Sequence, residues 1–324
     1  MARPIIIDTD PGIDDVLAIT LACASPEVDV IGITTVGGNT GIANTTENAL
    51  RWLNLVGRND IPVAAGAHVP LVRWDTRPDA TTHGTDGLGG LHLAEAPRSA
   101  DTRNANELLI DLIEGSAEPV TLVAIGPLTN VATLHASAPK TFAKLERIVI
   151  MGGGARVLGN ITPAAEFNIW YDPEAAARVF AAAVPITMVG LDVTHKALTP
   201  PDAWEPLRSG GELGRSIGAM IDFYAKYHLE HFGVEASAQH DALAVAAMLW
   251  PDIVDTSSLF VDVECSGTLT RGLTLVDIDN IWRRPPNADV ALEVDADAFQ
   301  ARFIERLVSL DAMLQAKSGP TTDC

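Results

Sequence analysis

Residues 5–17 read IIIDTDPGIDDVL: three isoleucines run into four aspartates, Asp8, Asp10, Asp14 and Asp15, within eight positions. A short, unbroken run of β-branched residues is the pattern of a strand covered on both faces, as parallel strands flanked by helices are. Asp14 and Asp15 follow a Pro11–Gly12 turn and open the next apolar stretch. Negative charge suits the first turn of a helix, by roughly 0.3–1 kcal/mol. Strand, tight turn and helix make the first half of an α/β unit.

The same alternation recurs downstream. Apolar runs at 4–8, 28–35, 120–126, 147–152 and 185–190 read as buried strands, and helix patterns fall between them at 14–24, 42–57, 104–115, 127–138 and 173–183. The fold class expected is α/β: a doubly wound, mostly parallel, Rossmann-like sheet with flanking helices. Beyond residue 200 the chain predicts helices over 214–231 and 240–249, short strands near 258–265, 271–277 and 289–294, and a last helix over 297–316. Residues 1–316 are read as one domain and 317–324, KSGPTTDC, as a disordered tail. The polar stretch 73–103 is too long for a simple connection and reads as a functional lid or a disordered loop.

Ligands of open α/β sheets bind outside the carboxyl ends of the strands. Here those ends carry DTDPGIDD, VGGNT with Asn39, GPLTN, and GGGARVLGNITPAAEFNIW. Glycine-rich, oxygen-rich tips converge on one edge.

Composition narrows the chemistry. Against 22 Lys and Arg stand 42 Asp and Glu, a net charge of −20. A surface that acidic repels phosphate backbones and anionic lipid, so neither nucleic acid nor a membrane is expected as a partner. Cys23, Cys265 and Cys324 are widely spaced and suggest neither a disulfide framework nor a zinc ribbon. Only MARP precedes the first strand, so a cytoplasmic location is expected.

Two like charges at 4 Å repel by about 4 kcal/mol at an effective dielectric near 20. Between residues 4 and 50 there is no Lys or Arg to offset the aspartates. A helix start explains Asp14 and Asp15 but not Asp8 and Asp10. A bound hard cation explains the set, and oxygen donors without nearby His or Cys point to Ca²⁺ or Mg²⁺.

These blocks have a familiar order. DTDPGIDD (8–15), GGNT (37–40), HGTDGLGG (83–90), IGPLTN (125–130), MGGG (151–154), GNITPAAEFNIWYDPEAA (160–177), DVTHK (192–196) and QHDALAV (239–245) resemble the inosine–uridine-preferring nucleoside hydrolases over nearly the whole chain. The resemblance implies Ca²⁺-dependent hydrolysis of a ribonucleoside to ribose and free base by a homodimer or homotetramer, in purine and pyrimidine salvage or nucleoside catabolism. It assigns the metal to Asp10, Asp15, Asp241 and the main-chain carbonyl of Ile125. Asp10 would act as base toward a water, Asp14 would meet a ribose hydroxyl, and His240 would protonate or hydrogen-bond the departing base. Asn39, His83, Asn160, Glu166 and Asn168 match substrate-binding positions. Tyr224 and His228, four apart on one helix face, fall where base contacts are expected. His195 reads as structural and Asp8 as a brace.

Two other readings stand beside this one. DTD also resembles the aspartyl-phosphate motif of a Mg²⁺-dependent phosphatase or phosphotransferase, although the absence of Lys and Arg from 4–50 and 104–139 is unfavourable for phosphate. A non-catalytic riboside-binding protein could share the same pocket.

Overall fold

The computed structural model describes residues 2–73, 82–234 and 236–318. Its strands are β1 (Arg3–Thr9), β2 (Val28–Thr35), β3 (Val63–Ala65), β4 (Thr121–Ala124), β5 (Arg147–Met151), β6 (Ile186–Val189), β7 (Leu198–Thr199), β8 (Ser237–Ala238), β9 (Val254–Leu259), β10 (Val261–Val263), β11 (Thr274–Val276) and β12 (Ala288–Val294). Eight form one sheet in the order β3-β2-β1-β4-β5-β6-β12-β9. Every neighbouring pair is parallel except β12 with β9.

Pleating explains why the isoleucine run fits. Ile5 and Ile7 join the apolar layer on one face, while Ile6 joins the layer on the other. All three are fully buried. Burial of one such side chain stabilises by about 1.5–3 kcal/mol, so no polar residue is tolerated until the strand end.

The order of strands reverses between β1 and β4. Chain leaving β1 turns toward β2, and chain leaving β4 turns toward β5, so a crevice opens at their carboxyl ends. Asp10 follows β1 and Ile125 follows β4, and Ile125 N–H donates to the Asp8 carbonyl at 2.9 Å.

A second device completes the crevice. β7 and β8 pair antiparallel, Leu198 opposite Ala238, and Gln239 N–H donates to the Ala197 carbonyl at 3.2 Å. The helix Glu212–Phe232 is carried by the excursion between these two strands, and its C-terminus is closed by Gly233 at φ 68°.

The predicted strands and helices are observed within a few residues, with differences beyond β6. The strand expected near 258–265 is two: β9 closes the main sheet, and β10 pairs with β11 in a separate ribbon. The last helix runs Ala296–Ser318. Residues 319–324 of the expected tail, and 74–81 of the long polar stretch, lie outside the described residues.

Candidate active site

A cavity of about 320 Å³ occupies the crevice. Asp14, Asn39, His83, Ile125, Asn160 and Glu166 line it, together with Asn168, Tyr224, His228, His240 and Asp241. The predicted residues therefore meet, apart from Asp10 and Asp15, which are buried outside the lining set at 1% and 0% exposure.

Asp15 lies in the first turn of the helix Ile13–Cys23. Its Oδ1 accepts from Thr9 Oγ1 at 2.5 Å and Asp10 N–H at 3.2 Å. Its Oδ2 accepts from Gly12 N–H at 2.9 Å and Asn39 Nδ2 at 3.0 Å. Asp10 is held differently. Its Oδ2 accepts from Asn39 N–H at 2.6 Å, while Oδ1 is buried with no hydrogen-bond partner among the described residues. Two glycines make room for this carboxylate: a Cβ on Gly38 would lie 2.0 Å from Oδ2, and one on Gly126 2.5 Å from Oδ1.

Carboxylate oxygens of Asp14, Asp15 and Asp241 lie within 4.8 Å of one another. This trio contains Asp14 where the resemblance implies Asp10. Asp241 enters from the first turn of the helix His240–Leu249, opposite Ile13–Cys23. Among the described residues no Lys or Arg pairs with Asp10, Asp14, Asp15 or Asp241; the one ion-pair contact is His83 Nε2 to Asp14 Oδ1 at 3.9 Å.

The electrostatic consequence is direct. Burial, then the charges of Asp15 and Asp14, push the Asp10 carboxyl well above its ordinary range. Asp14 is pushed up by burial and Asp15, and Asp241 by burial followed by Asp14, Asp15 and Asp10. Asp15 is raised mainly by burial, against the bonds it accepts. Ionising these acids together is penalised by burial and mutual repulsion; a divalent cation removes that penalty. The donor set, all oxygen, fits Ca²⁺ or Mg²⁺.

The amides have more tasks than sugar binding. Asn39 Nδ2 also donates to the Asp10 carbonyl at 3.2 Å. Asn168 Nδ2 donates to the carbonyls of Ile125 at 2.9 Å and Met151 at 3.1 Å, so its NH₂ ties β4 to β5. Their amide oxygens remain as acceptors for hydroxyls. Glu166 caps the helix Phe167–Tyr171, accepting from Asn168 N–H at 2.9 Å, Gly153 N–H at 3.0 Å and Ile169 N–H at 3.2 Å. Burial nevertheless raises its carboxyl to about 7. Asn160 Oδ1 accepts from Phe167 N–H at 3.0 Å, which braces the loop after β5.

Imidazoles and a phenol line the remaining wall. Ile13 N–H donates to His83 Nδ1 at 3.1 Å, which requires that nitrogen unprotonated and directs Nε2 toward Asp14. Tyr224 stacks on His83 at 5.5 Å and meets His228 edge-on at 4.4 Å. Burial and the charges of Asp14, Asp241 and Asp15 push the Tyr224 phenol well above its ordinary value, so its O–H stays a donor. Burial pushes His228 and His195 down, and His240 well down, so these rings are neutral at pH 7.

His195 lines the cavity and packs edge-on against His240 at 5.7 Å, so its reading as purely structural is incomplete. Met151, Phe167 and Tyr227 also line the wall without having been assigned there. Phe167 lies inside the EFNIW block, the one signal that could have marked it. Asp8 is as expected for a brace: fully buried, it accepts from Thr34 at 2.5 Å and Asn130 at 2.8 Å and lies outside the cavity lining.

The sequence profile described as inosine-uridine preferring nucleoside hydrolase matches residues 5–301. The chain belongs to this family and is a nucleoside N-ribohydrolase. It is similar to the pyrimidine-specific ribonucleoside hydrolase RihA of Citrobacter koseri, 45% identical over 309 residues covering 95% of this chain and 98% of that one. RihA of Escherichia coli O7:K1 is likewise 45% identical over 309 residues, covering 95% and 99%. Among solved structures, a purine-preferring ribonucleoside hydrolase from Gardnerella vaginalis superposes with a TM-score of 0.91 at 32% identity, covering 96% of this chain and 100% of that one. The plant nucleoside hydrolase PpNRh1 superposes at 0.90 with 36% identity, covering 95% and 100%.

Proposed function

We propose that the chain hydrolyses the N-glycosidic bond of free ribonucleosides in a Ca²⁺-dependent reaction, with Asp10 as the base toward water. The observation that carries this reading is the unpartnered, buried Asp10 Oδ1 beside the Asp14–Asp15–Asp241 trio at the sheet's switch point. Asp10, Asp15, Asp241 and the Ile125 carbonyl would hold the cation, with Asp14 on the cavity side. Bound Ca²⁺ would orient and acidify a water and bind ribose hydroxyls.

The chain's own groups account for the rest. Asp10 Oδ1, with no hydrogen-bond partner among the described residues, takes the proton of the attacking water. Asp14, Asn39, Asn160, Glu166 and Asn168 supply acceptors for sugar hydroxyls. The packed carboxylates favour the positive charge that develops on the sugar as the bond breaks. His240 meets the departing base, with His83, Tyr224 and His228 around it. The net charge of −20 supports free nucleosides over nucleic-acid chains as substrates. The RihA relatives' names support uridine and cytidine as the first substrates to try.

The test uses reducing-sugar release from uridine, cytidine, inosine and adenosine, with calorimetric Ca²⁺ titration of two variants. Asp10→Ala loses turnover and Ca²⁺ affinity together, whereas His240→Ala loses turnover by about 10²-fold or more and keeps Ca²⁺. Retained Ca²⁺ affinity in Asp10→Ala refutes its place in the metal site. Bound but uncleaved ribosides throughout the panel would favour a non-catalytic binding protein.

A further inference from the structure

We infer that Thr194 is a positioning residue for His240, holding the imidazole in the tautomer that presents Nε2–H to the departing base. The inference rests on the reading of His240 just given. Thr194 ends the short helix Leu191–Thr194 after β6 and is fully buried. Its Oγ1 lies 2.8 Å from His240 Nδ1. The β7–β8 pairing and the Gln239–Ala197 bond bring the two segments together from 46 residues apart.

Satisfaction of buried groups sets the direction of this bond. A hydroxyl carries one donor, and a buried donor left unpaired costs about 1–3 kcal/mol. Among the described residues the Thr194 hydroxyl has no other partner than His240 Nδ1. Its proton therefore points at Nδ1, which accepts with its lone pair. Neutral imidazole then carries its proton on Nε2, and His240 lines the cavity. The edge-on ring of His195, at 5.7 Å and 69°, restrains the plane of His240 from the side.

Loss of the hydroxyl should hurt substrates in proportion to how much help their leaving group needs. Thr194→Val keeps the shape and removes the donor; Thr194→Ser restores it. The full chain with Ca²⁺ is assayed on uridine and on p-nitrophenyl riboside, whose phenolate leaves without assistance. Thr194→Val is expected to lower kcat on uridine by on the order of 10- to 100-fold, with KM little changed, and p-nitrophenyl riboside turnover by less than about 3-fold. Thr194→Ser recovers most of the uridine rate. Equal losses on both substrates, or none on uridine, would overturn the inference. Should Thr194→Val fail to fold, nitrogen-15 NMR of histidine-labelled wild-type protein decides: a proton on Nε2 of His240 supports the inference, and one on Nδ1 contradicts it. A His240→Ala variant with undiminished uridine turnover would instead remove the underlying role of His240.

Discussion

At the residue scale, the chemistry depends on what glycine leaves out. The Asp10 carboxylate lies between Gly38 and Gly126, at positions where a Cβ would collide with Oδ2 and Oδ1 respectively. Gly126→Ala is therefore expected to displace Asp10, lowering uridine turnover by at least about 10²-fold while leaving the far-UV spectrum native. Normal turnover in that variant would mean the carboxylate has room that the geometry denies it. Glu166 gives a second prediction, about pH. Its folded carboxyl is raised from 4.5 to about 7, so the folded chain binds this proton more tightly than the unfolded chain. Stability is then greatest below pH 4.5 and falls as pH rises toward 7, by up to about 3 kcal/mol from this group alone. Denaturant titration of metal-free protein should show a shallower fall between pH 5 and 7.5 for Glu166→Gln than for wild type; equal slopes would contradict the shift. The crowding of aspartates without Lys or Arg between residues 4 and 50 suggested a cation, and the structure brings two of them, Asp14 and Asp15, together with Asp241. The glycine cradle was not, because Gly38 and Gly126 meet Asp10 only once three strand ends are side by side.

At the element scale, the loop HGTDGLGG shows why its glycines recur. Gly84, Gly87, Gly89 and Gly90 have φ of 77°, 87°, 64° and 82°, a left-handed path that other residues rarely follow. Asp86 ties the loop, accepting from Leu88 and Gly90 N–H at 3.1 Å each, and Asn48 Nδ2 donates to the Asp86 carbonyl at 2.8 Å. A Cβ at Gly89 would also stand 2.8 Å from the Phe223 ring, in the helix that carries Tyr224 and His228. Gly89→Ala should thus cost about 1–2 kcal/mol in strain and raise KM for uridine more than it lowers kcat. An unchanged KM would show that the loop and helix do not jointly shape the base wall. Long elements were legible because periodicity needs length: the helix His240–Leu249 was read to the residue. β3, with three residues, and the helix Leu191–Thr194, with four, are too short to show a period. The second of these positions His195 beside His240, so its reading as structural came from an element whose partner was invisible in the sequence.

At the scale of the whole molecule, topology and charge serve the same site. The parallel order around β1 and β4 makes the crevice, and the β7–β8 ribbon folds the chain back so that Asp241 faces Asp14 and Asp15. Sequence alternation predicted the sheet but not the ribbon, whose two-residue strands are defined only by each other. Four buried acids with no Lys or Arg paired to them among the described residues destabilise the metal-free fold, so a cation that binds only the folded chain should stabilise it strongly. At a thousand-fold excess over Kd the gain is about 4 kcal/mol. Calorimetric titration of Ca²⁺ into chelator-treated protein, followed by uridine assay of the same sample, tests the central claim most directly. One Ca²⁺ bound per chain, with turnover absent before the titration and restored in proportion to occupancy, is the predicted result. Full turnover in the chelated protein, with no saturable Ca²⁺ binding, would contradict it.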